Sequence, residues 1–105
     1  MLKIIDFQIA ANGAVQPLSS FAALAGITQV AHIRLEPVRG STTSNGQVLG
    51  PSGNVLHNIL SPQPSLPLDA WTSTPDLMEG NMIPLSAISF KGAAGDLWSC
   101  YVLVS

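Results

Sequence analysis

A chain of 105 residues suffices for one domain and is too short for two with separate cores. Hydrophobic residues make up 47% and charged residues only 10%, the reverse of a disordered composition, so a folded domain with a real core is expected. Four Lys and Arg against six Asp and Glu leave a formal charge of −2, and so few scattered cations do not suit a phosphate backbone; no nucleic-acid partner is expected.

The charged fraction lies well below the roughly one quarter of a typical soluble domain, which favours a component of an assembly, with part of its surface covered in the working state. Cys100 is the single cysteine, so neither an internal disulfide nor a thiolate metal site is expected. No window approaches the ~18 unbroken apolar residues of a membrane span, and no membrane partner is expected. Asp6 and Gln8 interrupt the first apolar stretch too early for a secretory leader, and none of the five asparagines stands in a glycosylation sequon.

Nine glycines and eight prolines, spread along the whole length, leave little room for long helices. In Ile5-Asp6-Phe7-Gln8-Ile9 apolar and polar residues alternate with the period of a half-buried strand. Asn12-Gly13 suits a tight turn, and residues 14–18 read as the return strand. Residues 19–26 are the helical exception: Ser19 or Ser20 as cap, Phe21-Ala22-Ala23-Leu24-Ala25 as a turn or two, Gly26 as left-handed stop. Residues 28–38 form the clearest strand, with Ala31, Ile33 and Leu35 on one face and His32, Arg34 and Glu36 on the other.

A polar loop, residues 40–46, ends in a second Asn-Gly turn, and Gln47-Val48-Leu49 is a short strand broken by Gly50-Pro51-Ser52-Gly53. Residues 55–60 read as another short strand. Three prolines within residues 61–67 forbid a central strand and predict an edge or surface arm, with Pro62, Pro64, Leu66 and Pro67 as its candidate docking residues. Residues 68–72 carry Trp71 on a short strand, and residues 74–81 are a loop. Residues 83–90 and 97–104 read as a closing hairpin about the turn Lys91-Gly92-Ala93-Ala94-Gly95-Asp96.

These elements predict one domain over residues 1–105. It is all-β, a small antiparallel β-sandwich or jelly-roll-like barrel of about seven or eight short strands with at most one short helical turn.

Candidate chemistry is sparse. His32 and His57, the only imidazoles, lack the converging ligands of a metal site, and none is expected. There is no Gly-x-Ser-x-Gly elbow and no phosphate loop, so no catalytic residue and no cofactor are assigned. Cys100 sits in an apolar run that favours a buried, unreactive thiol. The carboxylates Asp69, Asp76, Glu79 and Asp96 are read as loop and turn residues, and Trp71 as a core side chain in preference to a sugar-stacking platform. The last strand is apolar on both faces: Trp98, Cys100, Val102 and Val104 line one, Leu97, Tyr101 and Leu103 the other. A second layer must cover the latter three, either the domain's own loops or another subunit, which makes them the candidate oligomer contact.

In order and spacing, four segments resemble small all-β virion accessory proteins of tailed bacteriophages, of the head decoration, cement and minor capsid type. They are Val15-Gln16-Pro17-Leu18-Ser19; Ala31-His32-Ile33-Arg34-Leu35 with its polar loop; the tract from Asn45-Gly46-Gln47-Val48-Leu49 to Gly53-Asn54-Val55; and the closing segment, residues 83–104. The chain departs from that pattern at residues 61–67. The resemblance implies a non-enzymatic structural protein, made in the host cytoplasm and carried on the capsid surface, whose partners are further copies of itself and the major capsid protein. A carbohydrate-binding β-sandwich module using Trp71 and the loop carboxylates, and a tail- or fibre-associated protein, are the alternative readings.

Overall fold

Alternation at the start of the chain builds the first strand, and a like alternation of buried and exposed residues runs through residues 32–37 and 46–49. The computed structural model describes residues 1–10 and 13–104. Among these residues the strands are β1 (Leu2–Gln8), β2 (Gln16–Pro17), β3 (Gln29–Val30), β4 (His32–Pro37), β5 (Gly46–Leu49), β6 (Val55–Ile59), β7 (Trp71–Thr72), β8 (Ile83–Pro84), β9 (Ser89–Lys91) and β10 (Leu97–Leu103). The protein is all-β, with antiparallel sheets. A first sheet has the order β1-β10-β4-β7, a second β2-β9-β5-β6, and β3 pairs with β8 apart from both.

In the first sheet the registers Ile5–Cys100–Leu35 and Phe7–Trp98–Pro37 run across three strands on the core side. Leu2–Leu103–His32, Ile4–Tyr101–Arg34 and Asp6–Ser99–Glu36 occupy the opposite face. In the second sheet Val48 and Phe90 face the core, while Lys91, Gln47 and Asn58 stand opposite one another on the outer face. Aromatic rings join the two sheets: Phe90 meets Phe7 edge-on at 5.7 Å between centroids and Trp98 at 4.8 Å. Gly46 opens β5 beneath these rings. A Cβ there would fall 2.5 Å from Phe90 and 2.7 Å from Trp98, so the position requires glycine.

Several expectations are corrected. Residues 14–18 are not a return strand for β1: only Gln16 and Pro17 are extended, and they pair with β9 in the second sheet. Leu18, fully buried, donates its N–H to Ile88 O at 2.8 Å and draws the chain across to that sheet. Asn12 of the expected turn lies outside the described residues; Gly13 takes φ 60°. Residues 83–90 and 97–104 do not make a hairpin, because β9 belongs to the second sheet and β10 to the first. Placed on different sheets, Phe90 and Trp98 meet edge-on and both are fully buried. Asn45-Gly46 is likewise no turn, since Gly46 pairs with Ile59 inside the second sheet. The expected strand over residues 28–38 is divided at Ala31, where β3 leaves for β8 and β4 stays with β10 and β7.

The strand and helix numbers are also corrected. Ten strands are described where seven or eight were expected, several of them only two residues long. The helical residues form four three-residue 3-10 turns, Leu18–Ser20, Ala22–Leu24, Pro75–Leu77 and Leu85–Ala87, where at most one was expected. No side chain caps them. Each ends where the next residue, Phe21, Ala25, Met78 or Ile88, turns extended, and Gly26 follows the second turn at φ 88°. No helix among the described residues is long and apolar enough to cross a membrane.

Candidate functional site

The outer face of the first sheet carries the residues singled out at the end of the chain. β10 lies between β1 and β4, which explains its apolar character on the core side. Of the three candidate contact residues, Leu97 and Tyr101 are half-buried within the domain and Leu103 remains 40% exposed. The cross-strand neighbours Leu2 and Ile4 add 58% and 59% exposure, so Leu2, Ile4 and Leu103 form one continuous apolar patch beside the Tyr101 ring. Leu2 and Ile4 were not singled out from sequence; the register that sets them beside Leu103 and Tyr101 joins the two ends of the chain, and no local pattern encodes it.

Polar groups close the patch on one side. Tyr101 Oη donates to Glu36 Oε1 at 2.8 Å, and Arg34 Nη2 donates to Glu36 Oε2 at 3.1 Å. The hydrogen bond to Glu36, then burial, raises the Tyr101 phenol above its usual range. No described strand pairs with the other edge of β1, while the turn Ala22–Leu24 lies near it and Phe21 packs on Phe7 at 4.6 Å.

The proline-rich segment is a surface arm joining β6 at one edge of the second sheet to β7 at one edge of the first. Arg39 holds it, donating from Nη1 to Gln63 O at 3.1 Å and from Nη2 to Leu66 O at 2.7 Å. Pro62 is half-buried against the body, whereas Pro64, Leu66 and Pro67 are exposed.

Elsewhere the titratable groups are engaged in holding loops. His57 Nε2 lies 3.1 Å from Asp69 Oδ2, which also accepts the Leu60 N–H at 3.0 Å. Burial pulls the Asp69 carboxyl upward, but the Leu60 and Ala70 N–H groups and His57 together outweigh it and hold the carboxyl below its ordinary range. His32 Nδ1 lies 3.1 Å from Ser73 Oγ, which accepts the Ile33 N–H. Asp96, only 4% exposed, accepts Thr43 Oγ1 at 2.7 Å and the Thr43 and Ser44 N–H groups at 3.1 Å each. Thr42, also buried, donates to Leu97 O, so this cluster fastens the loop before β5 onto the crossing into β10.

Cys100 is fully buried, and burial pushes its thiol up to about 12. Trp71 is 8% exposed and offers no open ring face to a sugar. Among the described residues no three His, Cys, Asp or Glu side chains gather as a metal-binding group.

The outer face of the second sheet holds a groove of about 440 Å³, lined chiefly by Ser44, Asn45, Gln47, Asn58, Lys91 and Gly92. None of these was singled out from sequence. Three of them come into line only because β5 pairs with β6 on one side and with the distant β9 on the other.

No family model, no curated protein and no solved structure matches the chain.

Proposed function

We propose that this chain is a structural virion protein of a tailed bacteriophage, a capsid decoration or cement protein that binds the outer capsid surface as a homo-oligomer. The observation that carries this reading is the apolar patch of Leu2, Ile4 and Leu103 on the outer face of the first sheet, in a chain with only 10% charged residues. The patch is the contact between copies, and the Arg39-held arm with Leu66 at 57% exposure is the element that meets the major capsid protein. The architecture in this proposal is a small β-sandwich, supported by Phe90 of one sheet packing on Phe7 and Trp98 of the other. Such a body suits cementing, which asks for rigidity and exposed contacts and for neither catalysis nor a cofactor.

The test is protein identification and side-chain-resolving reconstruction of purified particles from a host expressing this chain. Density for the protein on the head, with the first sheet facing a second copy, is the expected result. Its absence from particles, or a position confined to the tail or fibres, overturns the proposal.

A further inference from the structure

The groove on the second sheet has a chemistry that the virion reading does not use. Lys91, Gln47 and Asn58 stand side by side on β9, β5 and β6, and neighbouring strands lie about 4.8 Å apart, so their heads form a row roughly 10 Å long. None of the three side chains takes part in a hydrogen bond or ion pair among the described residues. At one end Asn45 spends its carbonyl oxygen on the Ser61 N–H at 2.8 Å, which orients its amide and leaves the NH₂ group unspent. The lining contains no carboxylate and no aromatic ring. Asp96, buried, accepts from Thr43 and Ser44 and makes no ion pair with Lys91 among the described residues.

We propose that this groove binds an acidic saccharide, with its carboxylate on Lys91 Nζ and its hydroxyls on the Gln47 and Asn58 carboxamides. The assignment follows from what each group offers. An ammonium only donates and pairs best with an ionised oxygen, whereas a carboxamide both donates and accepts, as a sugar hydroxyl does. A cavity of about 440 Å³ exceeds what a bare carboxylate fills and falls within the roughly 300–1,000 Å³ of small-ligand sites. The missing aromatic platform argues against a neutral sugar, whose apolar face would have nothing to stack on. The inference is independent of the virion reading, and each can fail without the other.

The test is an NMR titration of the ¹⁵N-labelled protein with galacturonate, glucuronate and N-acetylneuraminate, with galactose and acetate as arms for a neutral sugar and a bare anion. At least one acidic sugar is expected to shift the amides of Gln47, Asn58 and Lys91 saturably, with galactose and acetate each about tenfold weaker or more. Lys91→Gln should weaken that binding about tenfold, and Asn58→Ala should weaken it too, while both keep the native melting temperature. Four outcomes overturn the proposal: no saturable shift with any acidic sugar, shifts that map away from this row, equal binding of acetate or galactose, or undiminished binding to Lys91→Gln.

Discussion

The two four-stranded sheets share one core but present opposite outer faces. In the first sheet, β1 and β10 pair along seven residues, and the outer face ends in exposed Leu2, Ile4 and Leu103 beside a closed Tyr101–Glu36–Arg34 network. In the second sheet no strand exceeds five residues, the register shifts between Val48 and Leu49, and on the outer face Gln47, Asn58 and Lys91 have no side-chain partner among the described residues. Seven-residue pairing of β1 with β10 sets Leu2 and Ile4 beside Leu103 and Tyr101 as one apolar surface. Short strands bordered by loops yield a concavity suited to a small polar molecule. The contrast arises from strand length and register, since the same aromatic cluster supports both faces.

Removing that shared support should break both faces at once. Trp98→Ala leaves a cavity beside Phe90, and a loss of about 3–5 kcal/mol in urea denaturation is expected, with both sheets losing amide protection together. A smaller and one-sided effect is expected of Asp96→Ala, which strips the Thr43 and Ser44 donors of their acceptor. We expect a cost of about 1.5–3 kcal/mol, with chemical-shift changes concentrated at Ser44, Asn45 and the groove rather than at Tyr101.

Leu103→Asp addresses the first sheet alone. Its side chain is partly exposed in the single chain, so the monomer should stay folded at a cost of about 1 kcal/mol. Light scattering should nevertheless report a lower mass than for the parent protein, because a charge in a contact between copies has no partner there. Equal masses, both oligomeric, would remove the patch from the assembly.

The smallest effect comes from protons. The Asp69 carboxyl is held below its ordinary range in the folded state, so its contribution is present above the unfolded value of about 3.9 and is lost as pH falls through the folded value. Asp69→Asn should lower stability slightly at neutral pH and converge with the parent protein in acid, so that the acid limb of a stability–pH profile measured by thermal melts is flattened. An unaltered acid limb would show that the His57–Asp69 pair contributes nothing measurable.

How much of this was legible in the sequence differs between elements. The alternation from His32 to Glu36 announced β4 and its buried face, and the doubly apolar run after Asp96 announced a strand covered on both faces, of which the single chain buries the core side and leaves Leu103 exposed. Three prolines in seven residues announced the arm. Partner choice was not legible. A glycine-bearing link such as residues 91–96 can close a hairpin or cross between sheets, and what decides is the burial of Phe90 against Trp98, a contact through space. Gly46 resembled half of an Asn-Gly turn, yet its missing side chain serves the close approach of two rings. The groove was invisible for the same reason: Gln47, Asn58 and Lys91 are unremarkable singly, and only the β9-β5-β6 order aligns them.

The central place of β10 also governs the sequence of events in folding. Met1 N donates to Val104 O across a separation of 103 residues, and β10 must insert between β1 and β4 before the first sheet exists. Closing a loop of that length costs roughly 4 kcal/mol in the logarithmic chain-entropy term before any pairing repays it. By contrast β5 and β6 are joined locally, through a turn in which Gly50 N–H bonds Asn54 O at 2.8 Å, and can pair early. A chain emerging from a ribosome therefore holds β1 and β4 with unsatisfied edges until β10 has emerged. Refolding is expected on the millisecond-to-second scale of non-local β proteins. Loss of β10 would leave the edges of β1 and β4 unpaired and free to add foreign strands.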